Sequence, residues 1–193
     1  MRMLLMSLAL ALGLASMATA GPFEDGLAAY ESGDFATALK LMLPLAERGD
    51  AKAQVNLGLM YDNGEGVPQD DAEAVRWYRL AAEQGNADAQ VNLGVMYDVG
   101  QGVPQDYAEA VRWYRLAAEQ GDADAQVNLG AMYGNGEGVP QDYVQAHMWS
   151  NLAAAQGNTI AVGNRDINAK KMTPAQIAEA QKLAREWIAA HPQ

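Results

Sequence analysis

An all-α fold is predicted for this chain: a solenoid of antiparallel helix pairs, about five of them, following a short leader. Three observations carry that prediction. Residues Ala51–Asn86 and Ala87–Asp122 align at a spacing of 36 and differ only at positions 52, 59, 63, 65, 71 and 86, which leaves 30 of 36 identical. Each period contains two stretches of helical apolar spacing separated by a Gly- and Pro-bearing loop. Ala123–Asn158 continues the series less faithfully. Self-similarity at this spacing marks a repeat architecture, because one such unit cannot bury its own apolar face and must stack on its neighbours.

Taken in order, residues 1–20 hold one cation, Arg2, and then an apolar run from Met3 to Ala18 without charge. The run ends in Ala18-Thr19-Ala20, small residues at the positions a signal peptidase reads, so cleavage between Ala20 and Gly21 is expected, and with it a periplasmic or secreted protein. Residues 21–50 read as a divergent first helix pair, Phe23–Glu31 and Asp34–Arg48, joined through Ser32-Gly33. Residues 51–86, 87–122 and 123–158 are repeats 1, 2 and 3. In the first of them Gln54, Leu57, Gly58 and Tyr61 fall at i, i+3, i+4 and i+7 on one face of a helix. The loop from Gly64 to Asp70 ends that helix, since glycine admits positive φ and Pro68 cannot continue a helix; Asp70 is then placed to cap the next one. From Asp71 to Gln84, Ala74, Trp77, Tyr78 and Ala81 form the apolar stripe, and Glu73, Arg76, Arg79 and Glu83 stand at ion-pair spacing beside it. Gly85 is expected at the C-cap. Residues 159–193 read as a capping helix pair, with a helix over Thr159–Lys171 and a capping-box start at Thr173-Pro174-Ala175-Gln176.

Composition narrows the functional classes. Without Arg2, 12 Lys and Arg face 24 Asp and Glu, a formal charge of −12. Such a surface repels phosphate backbones, so no nucleic acid is expected as a partner, whereas a basic protein segment is attracted at low ionic strength. There is no cysteine, which excludes disulfides, thiolate catalysis, thiolate metal sites and a lipidated lipobox cysteine. No membrane insertion is expected once the leader is cleaved.

The string Ala-x-Ala-Gln-x-x-Leu-Gly-x-x-Tyr-x-x-Gly-x-Gly-Val-Pro-Gln-Asp, followed by Ala-x-x-Trp-Tyr-x-x-Ala-Ala-x-x-Gly, resembles the Sel-one-like repeat. Residues 51–85 and 87–121 match it throughout. Residues 123–157 depart from it around Met148, Trp149 and Ser150, so the second helix of repeat 3 is a variant. The resemblance implies a relative of the tetratricopeptide fold, a right-handed superhelix of helix pairs, and a role as an adaptor that holds other proteins, with envelope proteins among the candidates. A cysteine-rich subset of such proteins is associated with penicillin binding and β-lactam hydrolysis. That makes a cell-wall-directed hydrolase or β-lactam-reactive enzyme the rival reading, which the absence of cysteine weakens.

Catalytic and metal constellations are sparse. Beyond the leader there are two serines, Ser32 and Ser150, and two histidines, His147 and His191. Ser150 and His147 stand i, i+3 on one predicted helix, but no third group or nucleophile elbow supports them. His147 has no ligand cluster near it and reads as a helix residue near the surface. Gly64-x-Gly66 lacks the strand, third glycine and lysine of a phosphate cradle. Asp62-Asn63-Gly64-Glu65 lacks the register of a calcium loop, and its counterpart Asp98-Val99-Gly100-Gln101 drops two ligands. No catalytic residue, metal or cofactor is therefore assigned. Trp77, Trp113, Trp149 and Trp187 stand at helical core spacing and read as packing anchors rather than sugar platforms.

The positions where near-identical repeats disagree are more informative. On the first helices they are Lys52/Asp88/Asp124, Leu59/Val95/Ala131 and Asn63/Val99/Asn135. With the invariant Asn56, Asn92 and Asn128 they fall at i, i+4, i+7 and i+11, one stripe opposite the core face. In the tetratricopeptide fold first helices line the concave groove that holds peptides, so the resemblance makes these twelve residues a partner-binding groove, the asparagine amides gripping an extended backbone. The competing interpretations are that the stripe is merely solvated and that the array is a spacer.

Overall fold

A computed structural model describes residues 21–191. The leader read in residues 1–20 lies outside them. Among the described residues there are ten α-helices and no strand: α1 Pro22–Glu31, α2 Phe35–Glu47, α3 Ala51–Asn63, α4 Asp71–Glu83, α5 Ala87–Val99, α6 Tyr107–Glu119, α7 Ala123–Asn135, α8 Tyr143–Ala155, α9 Thr159–Ala169 and α10 Pro174–Ala190. The predicted solenoid is what forms. From α1 to α9 consecutive helices pack antiparallel, each first helix against the second helix of its own unit, where it has one, and that of the unit before.

The chain punctuates these helices with the residues the sequence supplies. Asp70 Oδ1 accepts from the N–H groups of Ala72 and Glu73, both at 3.1 Å, and Asp106 and Asp142 repeat the arrangement. Gly64, Gly100 and Gly136 take left-handed φ of 72°, 75° and 77° at the C-caps of α3, α5 and α7. At the end of α4 the cap residue is Gln84, and Gly85 follows it in the left-handed region rather than occupying the cap itself. The capping box opening α10 is present, Thr173 and Gln176 exchanging both bonds.

Buried glutamines fasten one unit to the next. Gln90 Nε2 donates to the Ala82 carbonyl at 3.1 Å, and Gln90 Oε1 accepts from Gln120 Nε2 at 2.8 Å. Gln54 and Gln126 do the same one unit earlier and later. Each buried amide thus satisfies a carbonyl at the C-terminal end of the preceding second helix, which is why a polar residue stands on the predicted core face. Tyr78 and Tyr114 are buried, with their rings against Gly58 and Gly94. In repeat 3 the same two places hold Ser150 and Gly130.

Two expectations are corrected. Arg79 does not pair with Glu83: it reaches into the next unit, where Nη2 donates to the Tyr97 hydroxyl at 2.8 Å, and Arg115 does the same to Tyr133. On this stripe of α4 and α6 the ion pairs that close are Glu73–Arg76 and Glu109–Arg112, at 2.9 and 3.0 Å. The last two helices are also not a fifth pair, since α9 and α10 both pack on α8 and scarcely touch each other. The variant second helix of repeat 3 explains this. Met148 and Ala155 replace the Arg and Glu of α4 and α6 on the outer face of α8, and Trp187 of α10 packs edge-on against Trp149 with centroids 6.2 Å apart. Leu80 and Leu116 stay about one third exposed, while their counterpart Leu152 is buried. Removing two charges from one helix face turned it into an apolar seat for a covering helix.

Candidate functional site

The stripe read from the sequence lies on the open side of the first helices. Lys52, Asp88, Asp124, Asn63, Val99 and Asn135 are exposed, Asn56, Asn92, Asn128, Leu59 and Ala131 half-buried, and Val95 is 38% exposed. The opposite faces of α3, α5 and α7 bury Gln54, Leu57 and Gly58 with their counterparts, so the orientation follows from which face the core needs. Shallow hollows separate neighbouring rungs. One, of about 280 Å³, lies among Phe23, Leu27, Lys52, Asn56 and Asp88. Another, of about 240 Å³, lies among Ala131, Asn135, Asn164, Ile167 and Lys171.

That second hollow reveals a rung the sequence reading missed. Asn158 caps α9 as Asp122 caps α7, so the 36-residue register runs on and sets Ile160, Asn164, Ile167 and Lys171 level with Asp124, Asn128, Ala131 and Asn135. Extending the period by one unit was enough to find them. The face therefore carries four asparagines, Asn56, Asn92, Asn128 and Asn164, beside an apolar ridge of Leu27, Leu59, Val95, Ala131 and Ile167. Ile160 and Ile167 are 66% and 53% exposed. Asn56 Nδ2 is bonded to the Lys52 carbonyl at 2.9 Å, whereas the other three amides face solvent without a protein partner among the described residues.

Charge is uneven along the stripe. Asp88, Asp122 and Asp124 converge around Asn92. Burial pushes the Asp122 carboxyl above the usual carboxylate range; the Ala125 N–H opposes this, and Asp124 and Asp88 add to it. Lys52 lies at one end and Lys171 at the other, so the middle of the face is acidic.

Other candidates resolve into structure. Trp77, Trp113 and Trp149 are buried, with Arg76 and Arg112 stacked over the first two at 4.0 and 3.9 Å from the ring centroids. Ser150 Oγ donates to the Ala146 carbonyl at 2.7 Å, directed into its own helix. His147 is not near the surface: it is 3% exposed, because α9 covers this side of α8, and its Nδ1 has no partner. Burial, and next the Arg165 guanidinium, hold its pKa below the ordinary histidine value, against the pull of Asp166. A neutral ring is thus favoured in the fold. Its contribution is complete above the unfolded pKa of about 6.5 and is lost as the pH falls below it. Unfolding free energy measured between about pH 7 and pH 5 should therefore drop more steeply in wild type than in His147→Gln; parallel profiles would show that the ring takes up its proton in the fold without cost.

Among the described residues no three His, Cys, Asp or Glu side chains gather as a metal site would require. No helix among them is long and apolar enough to cross a membrane.

The repeated unit decides the family. The family model of the Sel1 repeat matches residues 51–86, 87–122 and 123–158, the periods seen in the sequence. The chain belongs to the Sel1 repeat family. Its fold is similar to that of c5321, a protective antigen of uropathogenic Escherichia coli displaying an SLR fold. The two are 40% identical with a TM-score of 0.75, over 79% of this chain and 33% of that one. This chain thus spans about a third of the antigen's length. It is also similar to a Sel1 repeat protein from Oxalobacter formigenes, at 44% identity and a TM-score of 0.62, over 66% of this chain and 96% of that one. A search of curated proteins returned no match. Sel1 repeats generally act as protein-interaction scaffolds.

Proposed function

We propose that this Sel1 repeat protein is an exported scaffold, periplasmic or secreted, that holds an extended segment of a partner protein along the first-helix face and performs no covalent chemistry. The observation that carries the proposal is the ladder of four asparagines at 36-residue spacing beside a row of apolar residues, of which Val95 and Ile167 are exposed. Each amide offers one acceptor and two donors, the complement of a peptide group, and the ridge offers alternate side chains an apolar contact. The acidic middle of the face favours a segment with basic residues. Export is supported by the leader, with its single cation, apolar run and Ala-x-Ala end.

The test is crosslinking co-purification from periplasm and medium, comparing wild type with the triple variant Asn56→Ala, Asn92→Ala, Asn128→Ala. Circular dichroism first establishes equal helicity, which is expected because all three side chains lie outside the core. A partner captured by wild type and lost from the variant is the expected result. Capture of the same partner by both moves the binding surface away from the asparagine ladder.

A further inference from the structure

Among the described residues a further hollow lies on the other side, between α2 and α4 over α3. It has a volume of about 810 Å³ and is lined by Leu43, Glu47, Tyr61, Trp77, Leu80 and Glu83 among others. The repeat explains why it is open. Position 43 is one period before Arg79, the residue that bridges to Tyr97, and Arg115 bridges to Tyr133 one unit later. Leucine at 43 has no such reach, so Tyr61 lacks the guanidinium that Tyr97 and Tyr133 each meet, and the space beside it is part of the hollow.

The chain itself shows what fits over this surface. Trp77, Leu80, Glu83 and Gln84 are equivalent to Trp149, Leu152, Ala155 and Gln156. On α8, Trp149 and Leu152 are buried where a helix packs on them, Trp187 of α10 meeting Trp149 edge-on and bordering Leu152, while Ala155 and Gln156 stay exposed at its margin. α10 presents one aromatic anchor with a small residue, the buried Ala184, one turn before it. The α4 surface differs from its α8 counterpart in keeping Arg76 and Glu83, and Glu47 and Arg48 stand opposite them on the α2 side. Its occupant therefore needs charged flanks as well as the anchor, which α10 also has in Lys182, Arg185 and Glu186.

We propose that the α2/α4 cleft is a second docking site, separate from the asparagine ladder, which takes an amphipathic helix of a partner protein patterned as α10 is: one aromatic anchor, small apolar residues on the same stripe and charged flanks. Helix-in-groove recognition of this kind places its energy in the anchor and its selectivity in the flanks.

The probe is a synthetic peptide of residues 174–191, fluorescently labelled and titrated with the intact chain by anisotropy. Saturable binding is expected, weakened at least about tenfold by Leu80→Glu, which puts a carboxylate at the exposed counterpart of Leu152, a residue buried where α10 packs on α8. A peptide with Trp187→Ala is expected not to bind. The triple asparagine variant should bind the peptide as wild type does. Absence of saturable binding overturns the proposal. So does undiminished binding to Leu80→Glu, which would place the peptide on α8 in exchange for the chain's own α10.

Discussion

Gly94→Val is expected to lower the unfolding free energy by about 1–3 kcal/mol, the range for overpacking a well-filled core. A Cβ built on Gly94 would lie 2.6 Å from Cε1 and 2.7 Å from Cδ1 of Tyr114, a ring that is itself fully buried. The ring has nowhere to retreat, since it is packed within the core that joins repeats 2 and 3. Valine gains some backbone rigidity over glycine in a helix, roughly half a kcal/mol, too little to offset the collision. The third repeat supplies an internal control. There Gly130 faces Ser150, and a Cβ would lie 3.1 Å from Oγ and 3.2 Å from the Ala146 carbonyl, contacts that a few tenths of an ångström relieve. Gly130→Ala should therefore cost much less than Gly94→Ala. Thermal unfolding decides the matter: a melting temperature for Gly94→Val equal to wild type would mean that α5 and α6 do not meet at this face.

The second large effect is expected at a loop. Gly102→Ala should destabilise by about 3 kcal/mol, from left-handed strain on a side chain and a steric collision together. Gly102 has φ of 68°, and its Cβ would run into the carbonyl group of Asp71 at the start of the preceding unit's second helix. Gly138 stands in the same relation to Tyr107. The loop that superficially suggests a phosphate cradle is thus the place where one unit's connector presses on its neighbour's backbone. Gly85→Ala separates the two causes, since Gly85 has φ of 89° with nothing within 4 Å of the Cβ position. It should show the strain alone, about 1–2 kcal/mol. Chemical denaturation of the two variants side by side checks this, and equal losses would mean that the contact with Asp71 contributes nothing.

These glycines also show how the chain can be read. The 36-residue period, the helix–loop–helix unit, the caps at Asp70 and Thr173 and the inward face of Gln54, Leu57 and Gly58 were legible because each rests on local spacing and local chemistry, repeated until chance was no longer an explanation. The candidate groove was legible for the same reason, and its fourth rung at Asn164 needed only one more step of the period. Other features were not legible. Arg79 has Glu83 at i+4, and the local rule points to an ion pair; the guanidinium instead finds the Tyr97 hydroxyl, a group from a different unit that sequence spacing does not rank. His147 stands on a helix of mixed character, and its burial depends on α9 lying across it.

What the sequence by itself determined about this protein is its architecture: repeated units with matching caps and matching apolar stripes admit one way of stacking. It also determined which residues line the first-helix face, since a helix that buries one side must expose the other. The tertiary structure alone decided how the array ends and where it stays open. That α10 folds back on α8 instead of pairing with α9, and that Tyr61 stands without the arginine that Tyr97 and Tyr133 meet, are properties of surfaces assembled from several units. A residue's periodicity states which way it points along its own helix, but what it meets there is set by the neighbours that the fold brings to it.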